Sequence, residues 1–185
     1  MYINNQEIMK TSLVITTINS PNKNIRKFVE GCKKKNWKLV IIGDKKTPNN
    51  FKLRYGDFVS YKNQLKLKFN FSKICPANNY ARKNIGYLLA FRQESELIVE
   101  TDDDNCPKKN FFYNKTLSHK VNEIKNKSWI NIYDFFLKKK NSIWPRGLPL
   151  DEINSNKILT SKKKLKKNFY LQQGVCEKNP DVDAI

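Results

Sequence analysis

Between Ser12 and Gly43 the chain spells strand, helix and strand within about thirty residues, the span of one βαβ unit. Ser12-Leu13-Val14-Ile15-Thr16-Thr17-Ile18 is an apolar, β-branched run of the kind that forms a buried strand. Asn19-Ser20-Pro21-Asn22 supplies a turn and a helix start. Ile25, Phe28, Val29 and Cys32 then fall at i, i+3, i+4 and i+7, one apolar stripe with lysines opposite. Trp37-Lys38-Leu39-Val40-Ile41-Ile42-Gly43 is a second strand-like run. Such crossovers are right-handed almost without exception, so the two strands are predicted to lie parallel with a helix packed across them. This places the chain in the α/β class.

A second alternation follows. Asn78 or Asn79 caps a predicted helix from Tyr80 to about Arg92, with Ala81, Ile85, Leu88 and Leu89 facing the sheet. Gly86 lies mid-helix, where glycine costs about 1 kcal/mol relative to alanine, which points to close approach by another backbone or a ligand. Glu96 to Val99 reads as the next strand. Asn49 to Cys75 reads as irregular with at most one minor strand, Lys108 to Ile124 as helix, and Ser128 to Phe136 as a further strand. Ile143 to Leu150, with two prolines and a glycine around Trp144 and Arg146, reads as a loop of fixed shape.

The strand after the second helix ends in Glu100-Thr101-Asp102-Asp103-Asp104-Asn105, three adjacent acids in a chain of formal net charge +19. On a strand side chains alternate faces, so Asp102 and Asp104 are expected to project to one side and Asp103 to the other. Two carboxylates about 6–7 Å apart on one strand face suit a hard divalent cation that also takes phosphate oxygens. The carboxyl end of a strand is also where α/β sheets bind ligands. The same acids serve equally as a turn or helix cap. An EF-hand is excluded, because its sixth position would be Pro107 and its twelfth Tyr113.

Other polar residues along that edge carry two readings each. Asp44, ending the second strand, either accepts hydrogen bonds from a base or ribose or forms a turn. Lys46 either meets a phosphate or is solvated. Thr16 and Thr17 either line the site or complete their strand. Arg82 either reaches a diphosphate or is solvent-exposed.

At 185 residues the chain suits a single domain with a proper core. No apolar run approaches a membrane span, and the polar start at Met1 does not resemble a signal peptide, so a cytoplasmic protein is expected. The 36 basic residues comprise 31 Lys and 5 Arg. Specific nucleic-acid surfaces depend on arginine for bidentate and stacking contacts, so no specific nucleic acid is expected. Cys32, Cys75, Cys106 and Cys176 show no C-x-x-C spacing, and His119 is the one histidine, placed on the surface of the predicted 108–124 helix. Zinc and disulfide frameworks are thereby set aside.

Asn78-Asn79-Tyr80-Ala81-Arg82-Lys83-Asn84-Ile85-Gly86, followed by a strand and Asp-Asp-Asp, resembles the Ala-Arg-x-Asn-x-Gly helix preceding the D-x-D strand of GT-A glycosyltransferases. With Ile42–Pro48, Arg82–Leu88, Glu100–Asn105, Trp144–Gly147 and Asn179–Ala184 in order, the chain resembles the STELLO-like glycosyltransferases. The reversibly glycosylated polypeptides, or UDP-arabinopyranose mutases, are a more distant likeness. The resemblance implies a GT-A-like, Rossmann-type mixed sheet flanked by helices, and a nucleotide sugar, usually a UDP-sugar, bound through Mn²⁺ or Mg²⁺. It implies Asp102 and Asp104 at the metal, Asp104 most directly, with Asp102 and Asp103 also at ribose and diphosphate. Asp44 would sit by the nucleoside and Arg82 by the diphosphate, with Thr16, Thr17 and Lys46 along the same edge. Arg146 matches the arginine glycosylated in the mutases, or else braces its loop, and Asp151 and Glu152 are the nearby acids for a base role.

The expected organisation is a tail over 1–11, a nucleotide-binding half over 12–106 and an incomplete acceptor-side half over 107–185. The last half is expected to be incomplete because such proteins continue past the position of Ile185 into acceptor-binding sequence. The expected function is a metal-dependent glycosyltransferase with an unassigned acceptor. The alternatives are a UDP-sugar mutase and a non-catalytic donor-binding or polyanion-binding module.

Overall fold

A computed structural model describes residues 9–125, 129–137, 142–153 and 164–176. The Asn179–Ala184 stretch lies outside the described residues. The chain forms two compact units, Met1–Lys115 and Thr116–Ile185.

In the first unit the order is β1 (Thr11–Thr17), α1 (Lys23–Lys35), β2 (Lys38–Gly43), β3 (Asp57–Val59), α2 (Tyr61–Gln64), α3 (Asn70–Ile74), a 3₁₀ turn at Tyr80–Arg82, α4 (Lys83–Arg92) and β4 (Leu97–Asp102). The strands make one sheet in the order β3-β2-β1-β4, with every neighbouring pair parallel. Helices flank it on both faces, as in the Rossmann-type arrangement that the GT-A resemblance implied. The predicted βαβ unit is present, with Leu13 opposite Leu39 and Ile15 opposite Ile41.

Alternation along β1 builds the layers. Leu13 and Ile15 join Leu39, Ile41 and the α1 stripe Ile25, Phe28, Val29 and Cys32 in one apolar cluster. Val14 joins Val40, Ile42 and the α4 residues Ile85, Leu89 and Ala90 in another. Each fully buried large side chain in these layers contributes about 2 kcal/mol of transfer free energy. Asn22 caps α1 by accepting from Ile25 N at 2.9 Å, and Asn36, with φ of +53°, closes it.

Two helical glycines mark close approaches. A Cβ on Gly86 would stand 2.4 Å from Val14 Cγ1, so the close neighbour is a strand side chain and not the backbone or ligand expected from the sequence. A Cβ on Gly31 would stand 2.1 Å from the Phe112 ring. Phe111 and Phe112 pack against Phe28 and Trp37 at ring separations of 5.3 to 6.4 Å, and against each other at 5.0 Å. These aromatic contacts carry the first unit on to Lys115, past residue 106.

The second unit departs from the local reading. The helix expected over Lys108–Ile124 does not form. Residues after Pro107 turn, and Ser118–Val121 forms β5, antiparallel to β6 (Leu165–Asn168). Cross-strand hydrogen bonds there outweigh a weak helical pattern. His119 therefore lies on a strand, half-buried, with Nε2 2.8 Å from Thr116 O. The strand expected over Ser128–Phe136 is, within its described part, a 3₁₀ turn at Ile132–Phe135. Asn131 accepts from Tyr133 N at 3.1 Å and so caps a turn in place of a ladder. Ser128 itself lies outside the described residues.

Candidate functional site

The carboxyl edge of the parallel sheet gathers the ends of β1, β2 and β4, with Thr16 in register with Asp102 and Thr17 with Gly43. The strand order reverses direction at β1, since β2 lies on one side of it and β4 on the other. Open α/β sheets leave a ligand crevice at such a switch point.

β4 stops at Asp102, so strand alternation does not run on to Asp104. The next residues turn, with Asn105 N donating to Asp102 O at 3.3 Å. Asp102 and Asp103 face opposite ways. Asp102 Oδ1 accepts from Lys83 Nζ at 2.7 Å and from Tyr80 Oη at 3.1 Å, both on the α4 side. Asp103 Oδ2 accepts from Thr17 Oγ1 at 2.5 Å and from Asn19 Nδ2 at 3.1 Å, in the β1–α1 connection. Asn22 Nδ2 holds Asp103 O at 2.9 Å and Asn24 Nδ2 holds Asp104 O at 2.8 Å, so the start of α1 grips the acidic turn by its backbone. Asp104 is exposed, and its carboxylate has no partner among the described residues.

Behind Asp102 lies a cluster that local pattern did not reveal. Lys83 is 2% exposed, and its Nζ also meets Glu100 Oε2 at 2.9 Å and the Tyr80 hydroxyl. Tyr87 Oη donates to Glu100 Oε2 at 2.8 Å. Burial opposes the Lys83 charge, yet hydrogen bonds with Asp102, Tyr80 and Glu100 hold the ammonium protonated well above the ordinary lysine range. Burial, followed by the hydrogen bond to Glu100, pushes the Tyr87 hydroxyl up. The one available signal was Glu100 lying two residues before Asp102, on the same strand face.

Asp44 stands at the end of β2 and is 9% exposed. Its Oδ1 accepts from Lys45 N at 2.7 Å and its Oδ2 from Asn79 N at 3.3 Å, which joins it to the start of the Tyr80–Arg92 segment. Thr47 Oγ1 accepts from Asp44 N and donates to Thr17 O, both at 2.7 Å. Thr16 is half-buried and Lys46 exposed.

Arg82 is 1% exposed, which corrects the solvent-exposed alternative. Its Nε donates to Gln64 Oε1 at 2.8 Å, its Nη1 to Cys75 O at 2.8 Å and Pro76 O at 3.3 Å, and it stacks 4.5 Å from the Tyr61 ring centroid. Its Nη2 is buried without a hydrogen-bond partner. Gln64, wholly buried, donates to Gly43 O at 2.6 Å and Val59 O at 2.8 Å. This Gln64–Arg82 pair ties the end of β2 to the start of α4.

In the second unit Arg146 and Asp151 are exposed and Glu152 is half-buried. The loop is ordered as expected: Leu148 N donates to Pro145 O at 3.1 Å, Trp144 is fully buried, and Asn131 Nδ2 holds Ile143 O at 2.8 Å. A concavity of about 610 Å³ runs along α1, lined by Pro21, Asn22, Lys23, Arg26, Lys27 and Glu30. None of the three aspartates lines it.

Among the described residues no three histidine, cysteine or acidic side chains converge to hold a metal ion unaided. The acidic turn offers oxygen donors alone: the Asp104 carboxylate, and the Asp102 Oδ2 atom left free by Lys83. An open oxygen set of this size fits Mg²⁺ or Mn²⁺, ions that retain waters and complete their shell with phosphate. Among the described residues no helix is long and apolar enough to cross a membrane.

No protein-family model matches the chain. The chain is 28% identical over 189 residues to the probable glycosyltransferase STELLO2 of Arabidopsis thaliana, and 28% identical over 189 residues to STELLO1 of the same plant. Each alignment covers 94% of this chain and 24% of the relative, so the chain spans about a quarter of the length of the curated relatives it matches. The STELLO-like resemblance read from scattered motifs thus extends along nearly the whole chain.

Proposed function

We propose, with the STELLO-like likeness as premise, that the first unit is a glycosyltransferase-like donor site that binds a nucleotide sugar, in the first instance a UDP-sugar. The observation that carries this reading is the meeting of Thr17, Asp44, Asp102 and Asp103 at the carboxyl edge of a β3-β2-β1-β4 sheet. Asp104, exposed and unpaired, is the first candidate to meet a divalent cation, with Asp102 Oδ2 two residues before it in sequence. Mn²⁺ or Mg²⁺, when bound, supplies charge neutralisation for the diphosphate that leaves as the sugar is transferred.

The protein's own part is binding and orientation. Asp44 has the position for hydrogen bonds from the nucleoside, while Asn22, Asn24 and Thr17 hold the acidic turn in place before any ligand arrives. Arg82 supports the β2–α4 junction from beneath, through Gln64, Cys75 O and Pro76 O.

Calorimetric titration with UDP and Mn²⁺ tests the reading. Binding is expected only with the cation present and is expected to be lost in Asp104→Ala. Binding that ignores the cation, or is unchanged in Asp104→Ala, overturns the donor site. Affinity for UDP that collapses with salt whether or not Mn²⁺ is present would instead indicate general polyanion attraction by this lysine-rich chain.

A further inference from the structure

Lys83 is a buried charge to which the donor-site reading assigns no task, and the inference rests on that reading. Glu100 and Asp102 are two apart on β4 and project from the same face. Both carboxylates meet at one atom, Lys83 Nζ, at 2.9 and 2.7 Å, and that side chain is 2% exposed. Two convergent carboxylates on a strand are what a divalent cation ordinarily seeks. Here an ammonium group already stands between them, held also by the Tyr80 hydroxyl. Asp104, two residues on, has no such partner.

We propose that Lys83 is an internal counter-cation that keeps Mn²⁺ or Mg²⁺ off the Glu100–Asp102 pair, so that cation uptake becomes dependent on the nucleotide diphosphate. Lys83 is a positioning residue: it acts through Asp102, engaging Oδ1 and leaving Oδ2 free. Without a nucleotide, a dication gains only the Asp104 carboxylate and one Asp102 oxygen, while facing the positive charge of Lys83. The phosphate oxygens add the ligands and negative charge that tip the balance. Substitution of Lys83 by a neutral residue of similar length exposes the Glu100–Asp102 pair as a ready-made cation site.

The test is a Mn²⁺ titration of the full chain, with bound ion read from the electron paramagnetic resonance signal, with and without UDP. The wild type is expected to bind Mn²⁺ weakly alone and about tenfold or more tightly with UDP. Lys83→Met is expected to bind Mn²⁺ alone about tenfold more tightly than the wild type, from the loss of a unit charge within contact distance. Lys83→Arg is expected to behave as the wild type. Damage to folding weakens binding, so a gain reports the charge itself. A Lys83→Met protein with native circular dichroism and unchanged affinity for Mn²⁺ alone overturns the proposal. So does a wild type that binds UDP yet takes up Mn²⁺ as tightly without it as with it, a result that needs no variant to fold. Absence of UDP binding with any cation defeats the nucleotide-sugar reading instead, while the comparison of Mn²⁺ alone still decides the part played by Lys83.

Discussion

Asp103 Oδ2 accepts a 2.5 Å hydrogen bond from the hydroxyl of Thr17, a residue 86 positions earlier in the chain. The contact joins the carboxyl ends of β1 and β4 and orients one member of the acidic turn toward the β1–α1 connection. Thr17→Val keeps the shape and removes the donor, leaving Asp103 with Asn19 alone. The expected cost is about 1–2 kcal/mol in urea unfolding, together with a severalfold loss of UDP·Mn²⁺ affinity by calorimetry. Unchanged stability and affinity would show that the turn is held by Asn22 and Asn24 without help.

Gly86 is required by the strand beneath it. Alanine there gains about 1 kcal/mol of helix propensity but drives a methyl to 2.4 Å from Val14 Cγ1. Overpacking of this kind costs about 1–3 kcal/mol, so Gly86→Ala is expected to be destabilising on balance. Urea denaturation reads the sign directly. Gly86→Ala combined with Val14→Ala, which opens the space, is expected to lose the clash.

Gln64 closes three hydrogen bonds at a fully buried point, two to carbonyls of Gly43 and Val59 and one from Arg82. Gln64→Ala leaves those groups unpaired and is expected to cost about 3 kcal/mol. Because the pair also sets the junction beside Asp44, UDP affinity is expected to fall with it. Gln64→Glu restores the contact with Arg82 but loses both donated bonds, so intermediate stability is expected.

Cys32 offers an alkaline probe of the core. Burial pushes its thiol up to about 12, above the ordinary value of 9.0. A folded pKa raised above the unfolded one contributes stability that is fully present below the unfolded value and is lost as pH rises through the folded one. The chain is therefore expected to weaken progressively from about pH 9 toward about 12. Cys32→Val is expected to flatten part of that decline, measured as the urea midpoint against pH. At neutral pH the thiol is expected to react with a thiol reagent only as fast as the chain unfolds.

Some of the structure was legible residue by residue. The βαβ unit and the α1 stripe follow from spacing, because periodicity of 2 or 3.6 is written locally. Asn79 caps its helical segment, accepting from Ala81 N at 2.9 Å, as one of the two asparagines considered. The acidic turn was legible as a candidate site, although its geometry was not. Among the described residues neither the 108–124 helix nor the 128–136 strand forms, because weak patterns there yield to pairing with β6 and to capping by Asn131.

The sequence alone determined the strand-helix alternation around β1, α1, β2, α4 and β4 and which faces there are apolar, since those are properties of neighbours a few residues apart. Only tertiary structure decided that β4 lies beside β1, because sheet order depends on contacts far apart in the chain. That placement brings Lys83 to Glu100 and Asp102, Arg82 to Gln64, and Thr17 to Asp103. The physical reason is that a buried charge or amide must find its partner wherever the packed backbone presents one.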